Sequence, residues 1–311
     1  MTTNTLNRRI FLNGLAVSTC LTATGWPLQG LASGAKLVAQ PLNDRITLIT
    51  GAGGNVVVYR GTAGLTLIDS GAREHTSALL SLVKELYPSD RVTTLFNTHC
   101  HDDHTGGNEA VHALGSKIIA HENTKLWLGA DYDVYWRNYS HKPRPAQALP
   151  DVTFYGSGSM DLGGETVQYI YLPRGHTDGD IVLYFPTSKV MVTGGLLTAS
   201  GYPIADIATG GWIGEQIDAN KAMLAMIGDT DILVPDSGPA LNKPQLQAQH
   251  DMLEDLYKQM KALEQDGLSG HDMLKKGVTK DYDATHGDPK EFVLETYRGM
   301  WAHTYDMGGF I

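Results

Sequence analysis

A chain of 311 residues with 34 Asp and Glu against 24 Lys and Arg carries a formal charge of −10. That sign disfavours nucleic acid and anionic membrane surfaces as partners. Two cysteines are too few for a disulfide framework, and beyond residue 35 no stretch is long and apolar enough to cross a membrane.

Residues 1–35 read as an export segment and not as fold. Asn7-Arg8-Arg9-Ile10-Phe11-Leu12 is an arginine pair followed by an apolar run, the run Gly14 to Leu21 has no charge, and the small residues Ala32-Ser33-Gly34-Ala35 close the segment. This resembles a twin-arginine signal cleaved near Ala35, with the periplasm as destination. A membrane anchor is the weaker alternative, because Asn13, Thr19 and Gly25-Trp26-Pro27 interrupt the apolar run. Lipid attachment at Cys20 is another alternative, with Thr19 a poor fit before it. Cleavage would remove Arg8 and Arg9 and no acid, giving a charge of about −12, and would leave Cys100 as the only cysteine. The remaining roughly 275 residues show no repeat, low-complexity tract or Pro/Gly-rich linker, and 36–311 reads as one domain.

Ile46 to Thr50, Asn55 to Tyr59 and Leu65 to Asp69 are β-rich and separated by glycine turns, so strands are expected, the last two as a hairpin. Residues 74–87 place Ala78, Leu79, Leu82, Val83 and Leu86 at helical spacing. Val92 to Phe96 is a short strand that leads into Thr98-His99-Cys100-His101-Asp102-Asp103-His104-Thr105-Gly106-Gly107. Three histidines and two aspartates fall within six residues there. Alternation in an extended segment points His99 and His101 one way and Cys100 the other, so the two imidazoles can share a cation. Asp103 and His104 follow where the chain turns and can face a second position. Imidazole suits zinc, and a carboxylate can serve as ligand or base.

A helix is predicted from Asn108 to Leu114, a strand over Lys117 to Ala120, and a helix after His121. His112 and His121 read as structural or surface residues. The aromatic, charged and Pro-rich stretch 130–150 reads either as a lid or as a packed insertion. Strands are expected at 165–172 and 181–193, with Gly175-His176-Thr177-Asp178-Gly179-Asp180 in the turn between them. Ser200-Gly201-Tyr202-Pro203-Ile204-Ala205-Asp206 and Gly210-Gly211-Trp212 follow, and Tyr202 and Trp212 are candidate substrate contacts or packing residues. The rest is helical apart from a buried strand at Ile232 to Val234: Ile213 to Ile227, Lys243 to Gln265, a short helix to Lys276 capped by Ser269, and a helix begun by Asp288-Pro289 that runs to about His303. Its aromatics, Phe292, Tyr297, Trp301 and Tyr305, read as core. His250, His271, His286 and His303 fit no ligand spacing.

The H-x-H-x-D-H stretch and the Gly-His-Thr-x-Gly-Asp turn resemble the metallo-β-lactamase superfamily over about residues 40–240. The resemblance implies an α/β (α+β) fold, the four-layered αββα sandwich, with metal at one edge of its two sheets and a C-terminal helical extension over about 243–305. It implies His99, His101 and His176 as zinc ligands, Asp103 and His104 as ligands at a second site, and Asp69 as a support behind the metal loop. Two departures stand out. Where most hydrolase members carry a bridging Asp, this chain has Gly194-Gly195-Leu196; where they carry Pro-Gly-His-Gly, it has Pro235-Asp236-Ser237-Gly238. Asp236 is read first as a turn residue and only second as a replacement ligand. One tightly bound zinc is therefore expected. The implied activity is a zinc-dependent hydrolase that uses a hydroxide generated at the metal, with Asp103 as base, on a small-molecule ester, thioester, lactone or β-lactam. The alternative is a non-catalytic metal- or partner-binding protein that has lost its second site.

Overall fold

Gly51 to Gly54 turns the chain so tightly that β-branched and aliphatic residues on either side pair at once, and the rest of the first sheet grows from that turn. The computed structural model describes residues 36–304; residues 1–35, read above as an export segment, Tyr305 and the final residues lie outside them. Strands β1 (Val38–Pro41), β2 (Ile46–Ala52), β3 (Gly54–Gly61) and β4 (Gly64–Ile68) form an antiparallel meander. Helix α1 (Thr76–Leu86) then crosses over, so β5 (Val92–Phe96) joins β4 in parallel. Helices α2 (Asp102–Thr105) and α3 (Asn108–Ala113) lead to β6 (Lys117–His121), parallel to β5, and α4 (Glu122–Gly129) follows.

The stretch 130–150 is partly regular. It folds into a separate two-stranded hairpin, β7 (Tyr132–Val134) and β8 (Tyr139–His141), before β9 (Val152–Phe154) returns to the sheet beside β6. The second sheet takes β10 (Gly158–Asp161), β11 (Thr166–Tyr171), β12 (Ile181–Phe185) and β13 (Val190–Gly194), all antiparallel. Helix α5 (Ile213–Met226) connects to β14 (Ile232–Pro235), which lies parallel to β13. Helices α6 (Lys243–Gln265), α7 (Gly270–Lys276), α8 (Asp283–His286) and α9 (Lys290–Thr304) complete the described chain.

Side-chain alternation turns this order into layers. Val57 and Tyr59 of β3 face Leu183 and Phe185 of β12 in the core between the sheets, where the Tyr59 and Phe185 rings stack at 5.2 Å. Val56 and Val58 face the other way and meet Leu79 and Val83 of α1. On the outer side of the second sheet, Val182, Met191 and Leu233 pack on Ala219 and Met223 of α5. The order helix, sheet, sheet, helix is the expected αββα sandwich. A further cluster, Leu253, Leu256, Met260, Met273, Phe292 and Met300, ties α6, α7 and α9 together. Helix α7 begins at the expected cap, Ser269, and α6 at a cap not read from the sequence, Asn242. Asn242 and Gln245 form one capping box, Ser269 and Asp272 another.

Candidate metal centre

The centre forms where strands end. β5 delivers Thr98 to His104 from the first sheet, and the turn between β11 and β12 delivers His176 from the second. Ile181 N donates to Thr98 O at 2.9 Å and fixes one against the other. Inside, the rings of His99, His101 and His176 stand edge to face in pairs, with centroids 4.7–4.9 Å apart.

The outer nitrogen of each ring is engaged, and this sets the tautomer. Asp69 accepts from Thr98 N at 2.8 Å and from Thr98 Oγ1 at 2.7 Å. With its proton committed to Asp69, Thr98 Oγ1 accepts from His99 Nδ1 at 2.9 Å. His101 Nε2 donates to Asp206 Oδ2 at 2.9 Å, and His176 Nδ1 donates to Ile204 O at 2.6 Å. The inner atoms are therefore His99 Nε2, His101 Nδ1 and His176 Nε2. His99 Nε2 is buried with no hydrogen-bond partner, while His101 Nδ1 and His176 Nε2 meet at 2.9 Å, where one proton or one cation can sit. The three nitrogens lie within 4.8 Å of one another. An orphaned buried nitrogen and two more converging on it are a fit for a cation such as zinc, with room for a fourth ligand.

Burial, reinforced by neighbouring histidines, holds His99 well below the usual histidine pKa. Burial and then His101 push His176 down to about 4. Burial opposes charge on His101 as well, but its hydrogen bond to Asp206 and the charges of Asp206 and Asp103 together outweigh this and raise it.

His104 completes a second group with His99 and Asp236. Its Nδ1 faces Asp69 Oδ2 at 2.8 Å and its Nε2 faces Asp236 Oδ1 at 2.7 Å. Burial opposes a charge here too, yet Asp103, Asp69 and Asp236 together hold His104 well above the ordinary value. This corrects the reading of Asp236 as a turn residue: its backbone does turn the chain after β14, but its carboxylate points into the centre. Asp103 lies at the edge. Its side chain is half exposed and its Oδ2 is 3.9 Å from His104 Nε2.

Two glycines explain local features. A Cβ on Gly195 would lie 2.0 Å from Cδ2 of His176, so a carboxylate-bearing residue and this ring position exclude each other. A Cβ on Gly54 would lie 2.5 Å from Nε2 of His104.

Tyr202 and Trp212 are not brought to the centre as substrate contacts. The Tyr202 ring stacks on Phe292 at 5.0 Å and its hydroxyl donates to Asp283 at 2.8 Å. Trp212 precedes α5 and meets Tyr257 edge to face at 6.1 Å. Both take the packing role. Other partners of the centre had no role assigned from sequence. Asp206 stands in the Tyr-Pro-x-x-Asp loop, and Asp180, in the Gly-His-Thr-x-Gly-Asp turn, accepts from His176 N, Thr177 N and Thr177 Oγ1. Their motifs were the available signal. Arg137, which donates to Asp206 Oδ1 at 2.7 Å, had none.

Residues 49–237 match the family described as the metallo-beta-lactamase superfamily. A type 2 metallo-beta-lactamase from Elizabethkingia meningoseptica is 31% identical over 149 residues, 47% of this chain and 53% of that protein. The chain thus spans about half the length of that curated relative. Among solved structures, a metallo-beta-lactamase from Pontibacter korlensis superposes with TM-score 0.58 at 22% identity, over 71% of this chain and 100% of its own. The stereoselective inverting sec-alkylsulfatase Pisa1 from Pseudomonas sp. superposes with TM-score 0.66 at 18% identity, over 88% of this chain and 51% of its own.

Proposed function

The chain belongs to the metallo-β-lactamase superfamily, and from that premise we propose that it is a zinc-dependent hydrolase of a small molecule with an ester, thioester, lactone or β-lactam bond. The observation that carries the reading is the set of inward lone pairs on His99 Nε2, His101 Nδ1 and His176 Nε2, each fixed by an outer hydrogen bond. Zinc on three histidines with an open fourth position acidifies water toward a pKa of about 7 and polarises a carbonyl.

The chain's own residues supply the rest. Asp103, half exposed beside His104, is the carboxylate free to orient water or accept its proton. Asp69 and Asp236 hold His104 between them, which leaves a cation at that second position in competition with the His104 proton. Because one protein of similar fold is a sec-alkylsulfatase, sulfate esters are included among the esters to be tested. The reading is tested by metal content per chain together with a hydrolysis screen over carboxylic and sulfate esters, thioesters, lactones and β-lactams. Turnover that depends on added zinc supports it. No turnover of any class by the fully loaded protein would leave metal or partner binding as the better account.

The same proposal includes export by the twin-arginine route, supported by Asn7-Arg8-Arg9 and the apolar run after it. A reporter fused to residues 1–40 should reach the periplasm and should fail to when Arg8 and Arg9 are both changed to Lys. Unchanged export without that translocase would overturn it.

A further inference from the structure

His101 is held by a carboxylate that is itself held by two distant parts of the chain. Asp206 is almost fully buried, with its side chain 4% exposed. Oδ2 accepts from His101 Nε2 at 2.9 Å and Thr209 Oγ1 at 2.7 Å; Oδ1 accepts from Arg137 Nη1 at 2.7 Å and Ala208 N at 3.2 Å. Each oxygen thus has two donors, and the carboxylate plane is fixed only while both pairs persist. On the Oδ1 side Arg137 is the shorter and the charged partner.

Arg137 sits between β7 and β8, just before Asn138, whose φ of 47° turns the hairpin. Its second prong, Nη2, lies 3.2 Å from Glu295 Oε2 on α9. Glu295 is held at one oxygen: its Oε1 accepts from Trp136 Nε1 and from Arg298 Nη1, both at 2.9 Å, while Oε2 takes no hydrogen bond and meets Arg137 as an ion pair. A planar guanidinium can hydrogen-bond one carboxylate with one prong while the other faces a second carboxylate as an ion pair, which a lysine cannot do with the same geometry.

We propose that Arg137 is a positioning residue for the metal centre: braced by Glu295 of α9, it holds Asp206, and Asp206 sets the tautomer and direction of His101. The proposal rests on the three-histidine reading above. It gives the C-terminal helix, which lies beyond the residues 49–237 matched to the superfamily, a direct line into the centre. Outer hydrogen-bond partners of metal-binding histidines typically change metal affinity 10–100-fold when lost, and Arg137 acts one contact further out, through Asp206.

The test uses the whole chain titrated with cobalt(II), whose visible absorption reports ligand geometry, together with a competing chelator that gives the dissociation constant. Arg137→Met should weaken cobalt binding roughly 10-fold and alter the visible bands, and Arg137→Lys should recover part of the loss. In an Asp206→Asn background, Arg137→Met should add less than about twofold, because both changes break the same line. If Arg137→Met does not fold, Arg137→Gln with Glu295→Gln removes the opposed charges together and carries the same expectation. Unchanged cobalt affinity and spectrum with only a lower melting temperature would overturn the proposal, as would full additivity with Asp206→Asn. His176→Ala separates the two readings. If it binds cobalt as tightly as the wild type, the three-histidine centre falls and the brace with it. If it loses cobalt while Arg137→Met keeps it unchanged, only the brace falls.

Discussion

Each of the three converging rings is anchored by a different acceptor, Thr98 for His99, Asp206 for His101 and Ile204 for His176. Ligation and proton transfer should therefore separate by mutation. His176→Ala removes an inner nitrogen, so metal content and activity should fall together. Asp103→Asn keeps the shape and removes the basic oxygen, so turnover should drop roughly 10²–10⁴-fold with the metal retained. Metal analysis beside kinetics checks this; parallel loss in both variants would make Asp103 a ligand instead. The pH dependence follows from the same rings. His99 and His176 are shifted down and bind a cation without first losing a proton at neutral pH, whereas His101 is shifted up and is the first of the three at which a proton competes with the cation as pH falls. Affinity should therefore weaken as pH falls, by about tenfold per unit once His101 holds its proton, and more steeply near pH 4, where His176 protonates. Chelator competition from pH 8 to pH 4 measures it, and a flat profile above pH 5 would contradict it. At this scale the histidines were legible because H-x-H-x-D-H and Gly-His-Thr are short and dense. Asp236 was not, because at its place in Pro-Asp-Ser-Gly a turn aspartate and an inward carboxylate have the same sequence.

The elements differ in what holds them, and so in what should break them. The hairpin of β7 and β8 has only three residues in each strand, and between them Arg137 ties it to Asp206 and Glu295. Asp206 and Glu295 are both nearly inaccessible, with side chains 4% and 3% exposed. Arg137→Met leaves the buried carboxylate of Asp206 without its guanidinium and Glu295 with Arg298 as its remaining cation, and should destabilise by about 3–5 kcal/mol. Glu291→Gln, which loosens only a half-exposed contact at 3.9 Å, should cost about 0–1 kcal/mol. Urea denaturation of the two variants checks the contrast, and equal losses would argue against the brace. Helix α7 is held differently, by its Ser269–Asp272 box, and Ser269→Ala should cost about 1 kcal/mol. The regular helices were legible from caps and periodicity, α6 from Lys243 to Gln265 without adjustment. The hairpin was not, since its partners Asp206 and Glu295 lie far along the chain and no local spacing announces them.

Across the whole molecule, the two sheets meet at the centre: His99, His101 and His104 follow β5 of one, and His176 precedes β12 of the other. A cation there ties the layers, so metal binding should raise stability by linkage, about 2.7 kcal/mol at a free concentration 100 times the dissociation constant. Chelation should lower the melting temperature of the wild type and leave that of His176→Ala nearly unchanged; equal shifts would mean that the metal stabilises from elsewhere. The alternation of strands and helices with short connections made an α/β or α+β domain legible, and the sandwich followed from the family resemblance that the histidine motifs carry. The loss of the bridging carboxylate was legible too, and Gly195 under the His176 ring supplies its physical reason. The route from α9 to His101 was not legible, since it exists only once the layers assemble. The most direct test of the central claim is the zinc content of the purified chain after dialysis, measured in the wild type and in His176→Ala. The account predicts about one tightly held zinc per wild-type chain and close to none in the variant. No zinc in the wild type, or the same content in both, would contradict it.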